Sequence, residues 1–342
     1  MRIICVEEHT VDAALAQATR AAQVAQTPYL ADWGSRVHDM PHPNSDRPSL
    51  VSFKTAMGLA PDLGANRIAA MDEHGIDMQV LSHSNVPQLA PKGQAVELTR
   101  AANDRLAEAV AANPSRLAAF AALPWQIPDA AAAELTRAVK QLGFKGALVT
   151  GRPGDTFLDD PRYAPVLAAL NTLKVPLYVH PGAPLPQVSA PYYGGLEKEV
   201  SARLSLFAWG WHNESGIQVI RMILSGIFDR YTDLRIISGH WGEMVPFFLQ
   251  RLDNSLPLEA TGLSRTITAT YRDQVYVTPS GLMNLPHFEF IHKVMGADRI
   301  IYSVDYPYLT LKGARAFLEH LPISDEDKKK IAHGNAETLL GL

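Results

Sequence analysis

The sequence has one cysteine, Cys5, so it can form no internal disulfide and no cysteine metal cage. That usage fits a reducing cytoplasm. Long apolar runs are also missing. Ile3-Ile4-Cys5-Val6 is apolar, but acidic residues follow at once, and the run is too short for a signal-peptide core or a membrane span. Neither charge sign dominates: Lys and Arg number 31 against 35 Asp and Glu, for a net charge of −4, with no basic block. That balance argues against nucleic-acid and membrane-surface partners. No G-x-G-x-x-G turn follows the first apolar run and no phosphate loop is present, so nothing marks a dinucleotide or nucleoside-triphosphate enzyme. Repeats, low-complexity tracts and linkers are absent too, and residues 1–342 read as one domain.

What is present is a rhythm. Hydrophobic residues make up 47% of the chain, enough for a sizeable core. Eight short apolar runs predict strands at Ile3–Val6, Met78–Ser82, Leu117–Ala122, Gly146–Val149, Leu177–His180, Arg235–Gly239, Gln274–Thr278 and Ile300–Ser303. Most do not alternate, as expected of parallel strands buried on both faces. Amphipathic stretches such as Ala95–Ala112, Asp129–Leu142 and Gly216–Phe228 lie between them. Eight strands separated by helices predict an α/β fold of the (β/α)8 TIM-barrel type. A doubly wound sheet is the rival, weakened by the missing glycine fingerprint. Long loops are expected after the first strand, about Val11 to Ala65, and after the fifth, about Pro181 to Trp211. In a barrel such loops stand over the catalytic face.

Polar residues meet the strand ends. The first strand runs into Glu7-Glu8-His9, the fifth ends at His180, the sixth at Gly239-His240, and the eighth runs to Asp305. In extended chain, residues two apart share a face, so Glu7 and His9 both face the barrel interior while Glu8 points away. Taken singly, His9 suits a hydrogen-bonded core position, Glu7 an exposed strand end, and Asp305 or His180 a turn. Four apolar strands that each finish on an ionisable group are harder to explain so. Burying those groups without partners is costly, and a divalent cation would satisfy several together.

A second informative stretch is Gly239-His240-Trp241-Gly242-Glu243, continuing to Arg251-Leu252-Asp253. If a helical turn begins at His240, Glu243 is its neighbour, and a carboxylate beside an imidazole suits proton handling. Arg251 lies about two turns further on and offers charge for an anionic substrate, or a surface pair with Asp253. His38 and His42 fall in the first long loop, near enough to reach a site from above. His83 and His212 flank core elements and carry less weight. His74, His287, His292, His320 and His333 receive no role. Trp211, with Trp209 and Phe207, offers an aromatic wall or ordinary core packing.

Together, Glu-x-His at 7–9, the His180 strand end, Gly-His-x-Gly-Glu-x-x-Pro-x-x-x-x-Arg-x-Asp at 239–253 and Ser-Val-Asp-Tyr-Pro at 303–307 resemble the amidohydrolase superfamily. More narrowly they resemble its decarboxylase branch, which includes γ-resorcylate, 2,3-dihydroxybenzoate and 5-carboxyvanillate decarboxylases. The resemblance runs along nearly the whole chain, through Met71–Asp77, Gly143–Gly146, Ile223–Asp229 and Asn335–Glu337. It implies one divalent metal held by Glu7, His9, His180 and Asp305. It implies His240 and Glu243 as a proton-handling pair, Asp305 as the acid, and Arg251 and Tyr308 near the substrate. Many hydrolytic relatives have His-x-His where this chain has Glu7-x-His9. The carboxylate favours manganese over zinc, and no lysine stands at the fourth strand end to bridge a second metal.

The activity implied is metal-dependent, non-oxidative loss of carbon dioxide from an ortho-hydroxybenzoic acid without an organic cofactor, so the expected partner is a small aromatic acid. The family also implies a homo-oligomer, a dimer or tetramer. The alternatives are a metal-dependent hydrolase of a lactone, ester or amide, and a metal- or ligand-binding barrel without turnover.

Overall fold

The computed structural model describes residues 1–34, 36 and 47–342. His38 and His42 lie outside the described residues. Among the described residues, seven parallel strands form two sheets. β1 (Ile4–Thr10), β2 (Met78–His83) and β3 (Leu117–Ala119) make the first. β4 (Ala147–Thr150), β5 (Leu177–His180), β6 (Ile236–Ser238) and β7 (Val275–Val277) make the second.

Hydrogen bonds join the sheets at both seams. Lys145 N donates to Ala119 O at 2.8 Å and Ala121 N to Gly146 O at 2.9 Å, linking β3 to β4. On the other side, the segment 300–305 sits between β7 and β1. Ile301 N donates to Val277 O, Val6 N to Tyr302 O and Asp305 N to Glu7 O, all at 2.9–3.0 Å. The eighth strand expected at Ile300–Ser303 is therefore an extended segment with a single bridge, Val277 to Ile300, not a regular strand. It closes the ring nonetheless, and the architecture is the (β/α)8 barrel.

The barrel interior is an apolar plug that includes Ile4, Val6, Val80, Phe120, Tyr178 and Ile301, backed by Ala336 and Leu340 of the helix Asn335–Leu340. The opposite faces of the strands, such as Cys5, Leu81 and Val179, pack against the helices in a second, larger core. The helix Ala95–Ala112 shows why these helices form. Its buried positions, Ala95, Thr99, Ala102, Asn103 and Leu106, fall on one stripe at helical spacing.

Several boundaries differ from the expectations. The helix expected at Gly216–Phe228 begins at Gly210, ends at Leu224 and is followed by a short turn, Ile227–Arg230. Gly226, at φ 70, breaks it. The long stretches after β1 and β5 are not bare loops: they contain the helices Ala13–Gln26 and Phe53–Leu59, and Pro186–Tyr193 and Lys198–Ser205. They meet where Trp33 packs against Phe207 at 4.6 Å between ring centroids. Among the described residues, no helix is long and apolar enough to cross a membrane.

Candidate active site

The site begins with an irregularity in β1. Cys5 pairs with Gln79 and Glu8 with Leu81, so Val6 and Glu7 together stand opposite Val80. This β-bulge inserts one residue and reverses the alternation beyond it. Ile4 and Val6 point into the apolar plug, yet Glu7 and His9 also point inward, one layer higher. Glu8 turns outward, fully buried. Its Oε1 accepts from Val304 N at 2.9 Å and its Oε2 from Gln79 Nε2 at 3.1 Å. Arg67 donates to Gln79 Oε1 at 3.0 Å and to the His9 carbonyl at 2.7 Å. This network fixes the bulge from behind.

Glu7, His9, His180 and Asp305 each offer one ligand atom, and those atoms lie within 4.8 Å of one another. Each is oriented by its other side. His180 Nδ1 lies 2.8 Å from the Pro181 carbonyl, so Nδ1 carries the proton and Nε2 is left as a lone pair. His9 Nδ1 lies 3.1 Å from Ser82 Oγ. Glu7 Oε2 accepts from Ser280 Oγ and, at 3.3 Å, from Thr278 Oγ1. What remains is a set of buried atoms with nothing to bond: Glu7 Oε1, His9 Nε2 and Asp305 Oδ1 have no hydrogen-bond partner. His9 Nε2 and Asp305 Oδ1 approach to 3.1 Å without hydrogen-bond geometry. Burial pushes Glu7 up against the pull of His240, and burial with the neighbouring histidines holds His180 well below its usual range, a neutral imidazole. Two carboxylates and two imidazoles whose ligand atoms converge, three of them orphaned, fit a divalent cation, which would satisfy them together.

His240 and Glu243 stand beside this centre. His240 Nδ1 lies 2.8 Å from Glu243 Oε1, and His240 Nε2 lies 4.0 Å from Asp305 Oδ2. They are neighbours, but not through the right-handed helical turn expected of them. Residues 240–244 all have positive φ, from 47° to 84°, and only Gly242 is a glycine. Left-handed backbone costs L-residues about 1–2 kcal/mol each, so four of them must be held by their surroundings. His240 N donates to Ser280 Oγ at 2.9 Å, Trp241 N to Thr278 O at 2.7 Å, and the Trp241 indole to Leu282 O at 2.7 Å. Ser280 thus ties Glu7 to this turn. In the metal-free chain, burial opposes the charge on His240, but Glu243 and then Glu7 outweigh it and push it up to about 9.

The other expected residues are spread out. Tyr308 packs edge-on to His9 at 5.6 Å and shares a 2.7 Å hydrogen bond with Ser84; burial pushes its hydroxyl up to about 12, so it stays protonated. Trp211 stands edge-on to His180 at 6.2 Å, with Phe207 beyond it. Trp209 is 48% exposed and takes no part. Arg251, expected to hold a substrate anion, is exposed. The helix Val245–Ser255 buries Val245, Pro246 and Leu249, which turns Phe247, Phe248 and Arg251 outward. Nor does Arg251 pair with Asp253, whose Oδ1 instead accepts from Thr268 N. His83, at the end of β2, lies 3.3 Å from the Ala102 carbonyl on the helix side. His212 is the residue that sequence reasoning undervalued: its Nδ1 lies 2.6 Å from Glu243 Oε2. The two are 31 positions apart, and no spacing rule links them.

A centre of this kind at the strand ends of a closed parallel ring places the chain among the metal-dependent (β/α)8 enzymes. Residues 37–342 match the amidohydrolase family, and the chain belongs to it. It is 38% identical to a γ-resorcylate decarboxylase of Polaromonas sp. over 293 residues, which is 82% of this chain and 88% of that one. Among solved structures, it resembles 5-carboxyvanillate decarboxylase from Sphingomonas paucimobilis, with TM-score 0.86 and 29% identity over 100% of this chain and 99% of that one. It also resembles a Polaromonas dihydroxybenzoic acid decarboxylase with bound manganese and the inhibitor 2-nitroresorcinol. There the TM-score is 0.83 and the identity 33%, over 100% and 97% of the two chains.

Proposed function

We propose that this enzyme catalyses metal-dependent, non-oxidative decarboxylation of an ortho-hydroxybenzoic acid, giving a phenol and carbon dioxide. The observation that carries the reading is the double position of Asp305. It belongs to the four-residue centre and also faces the His240–Glu243 pair at 4.0 Å. One carboxylate therefore serves both groups. The relatives act on aromatic acids of this class, and the Polaromonas structure holds manganese. The hard oxygens of Glu7 and Asp305 favour manganese, with zinc as the alternative.

Glu7, His9, His180 and Asp305 would hold a divalent ion, which would supply Lewis acidity at the substrate. The chain's own residues do the rest. Asp305 holds the proton that goes to the ring carbon bearing the carboxylate. The positive charge of a bound cation would lower His240 from its metal-free value, so that its Nε2, with Nδ1 pinned by Glu243, takes the hydroxyl proton and returns it. As the carbon–carbon bond breaks, its electron pair stays with the ring and carbon dioxide leaves. Trp211 and Tyr308 flank the ring's position on the His180 and His9 sides. Arg251 has no part within its own chain.

The test is metal analysis of the purified protein with a panel of ortho-hydroxybenzoic acids, including 2,6-dihydroxybenzoate. Carbon dioxide should be released, one deuterium should enter the vacated carbon in heavy water, and benzoic acid lacking the hydroxyl should be inert. No carbon dioxide from the panel, with rapid hydrolysis of a lactone or amide, would replace this reading with the hydrolase. We also propose a homo-oligomer. Phe247, 71% exposed, clusters with Phe248 and Phe290, an apolar patch suited to a second copy. Phe247→Glu should lower the mass seen by light scattering; a monomeric wild type would refute it.

A further inference from the structure

We infer that His212 is a positioning residue: it grips one oxygen of Glu243 so that the other is held against His240. The inference rests on the decarboxylase reading above. His212 stands in the first turn of the helix Gly210–Leu224. Its Nδ1 lies 2.6 Å from Glu243 Oε2, while His240 Nδ1 lies 2.8 Å from Oε1. Each oxygen of one carboxylate is therefore taken by a different imidazole. The Glu243 side chain is fully buried, and no other described residue hydrogen-bonds to its carboxylate. Burial pushes Glu243 up, but the two imidazoles outweigh it and keep it ionised. An ionised carboxylate only accepts, so both Nδ1 atoms carry protons.

The far side of His212 is secured as well. Its Nε2 lies 2.9 Å from the Phe207 carbonyl and 3.1 Å from the Trp211 indole nitrogen. One is an acceptor and the other a donor, so this nitrogen has a partner whether or not it is protonated. The ring cannot easily leave Glu243. Such a clamp has a purpose here, because Glu243 sits at φ 52, in left-handed backbone that persists only when surrounding contacts hold it. Without His212, Oε2 loses its donor and the carboxylate is free to turn. The aim of His240 Nε2 toward Asp305 then loosens, and misplacement by about 1 Å is enough to cost roughly a hundredfold in rate.

The test exploits the shapes of two amides. An asparagine nitrogen falls where imidazole Nδ1 lies, and a glutamine nitrogen nearer Nε2. In the metal-loaded enzyme, His212→Ala and His212→Gln should lower kcat by about ten- to a hundredfold with KM and metal content unchanged, and His212→Asn should recover most of the loss. Wild-type kcat in the alanine variant, or an asparagine variant no better than glutamine, would overturn the inference. If the alanine variant does not fold, the asparagine–glutamine contrast still decides. A readout independent of turnover is the downfield N–H resonance of His240 in zinc-loaded protein: it should stay sharp in His212→Asn and broaden in His212→Gln. Equal sharpness in both would also overturn it. A wild type that releases no carbon dioxide defeats the reaction, while the resonances still judge the clamp.

Discussion

Replacing Gly239 with alanine should weaken the metal centre while sparing the fold. Gly239 ends β6 at φ −69 and ψ −177, extended backbone that alanine adopts without strain. The obstacle is space. An added Cβ would lie 2.8 Å from Ser280 Oγ and 3.0 Å from both Glu7 Oε1 and the Tyr178 hydroxyl. All three side chains are buried, and Ser280 is too short to swing away. Overpacking of this kind costs about 1–3 kcal/mol, and the stiffer unfolded chain offsets about 0.4–1 of it. The metal-free variant should therefore remain folded. Its Glu7, however, is displaced at the atom that faces the cation, and disturbance of that order weakens metal binding by about 10–100-fold. With free metal at a hundred times the wild-type Kd, binding adds about 2.7 kcal/mol of stability; a hundredfold weaker site retains only about 0.4. The deficit should thus appear mainly in the loaded protein. Melting temperatures with and without metal, together with a direct metal titration, measure it. An unchanged Kd and an unchanged metal-induced shift in Tm would refute the close-packing argument.

His9→Ala and His180→Ala should each lose bound metal and activity while far-UV circular dichroism stays native; full occupancy with wild-type turnover in either would remove that residue from the centre. Asp305→Asn keeps an oxygen for the cation but no carboxylic proton, so an aromatic acid should still bind while turnover falls at least about a hundredfold. Near-normal turnover in a variant shown to hold metal would exclude Asp305 as the acid. Without metal, stability should depend on pH through His240. Its folded value, about 9, lies above the ordinary 6.5, so its contribution is complete below about pH 6.5 and is lost as pH rises through about 9. Metal-free Tm should fall across that window and the slope should shrink in His240→Asn; a rising Tm would contradict the assignment.

The barrel was legible because its strands are short, apolar and regularly spaced, and the gathering of Glu7, His9, His180 and Asp305 was legible because each stands at a strand end. The rest was hidden for identifiable reasons. The bulge between Cys5 and Glu8 depends on register with β2, which one strand's sequence does not reveal. The left-handed backbone at His240–Met244 runs against the preferences of four of its five residues, so local reasoning favours an ordinary helical turn. The eighth segment bonds to β7 and β1 at only a few positions and forms a single bridge, a difference in register that its apolar run does not reveal. The outward turn of Arg251 follows from where its helix starts, and that start is set by the same left-handed turn.

The bulge has a consequence for how this protein can change. β1 is one strand with two phases. Below Val6 its parity belongs to the apolar plug; from Glu7 onward it belongs to the chemistry. Deleting one residue at the junction would merge the phases and leave the plug and the Glu-x-His pair competing for the same wall of the barrel. Point substitutions on either side do not have this effect. The strand should therefore tolerate exchange of Ile4 or Val6 for other apolar residues far better than any change in length. The same holds for transplantation: grafting Glu-x-His onto a straight strand of another barrel would succeed only if the extra residue travelled with it.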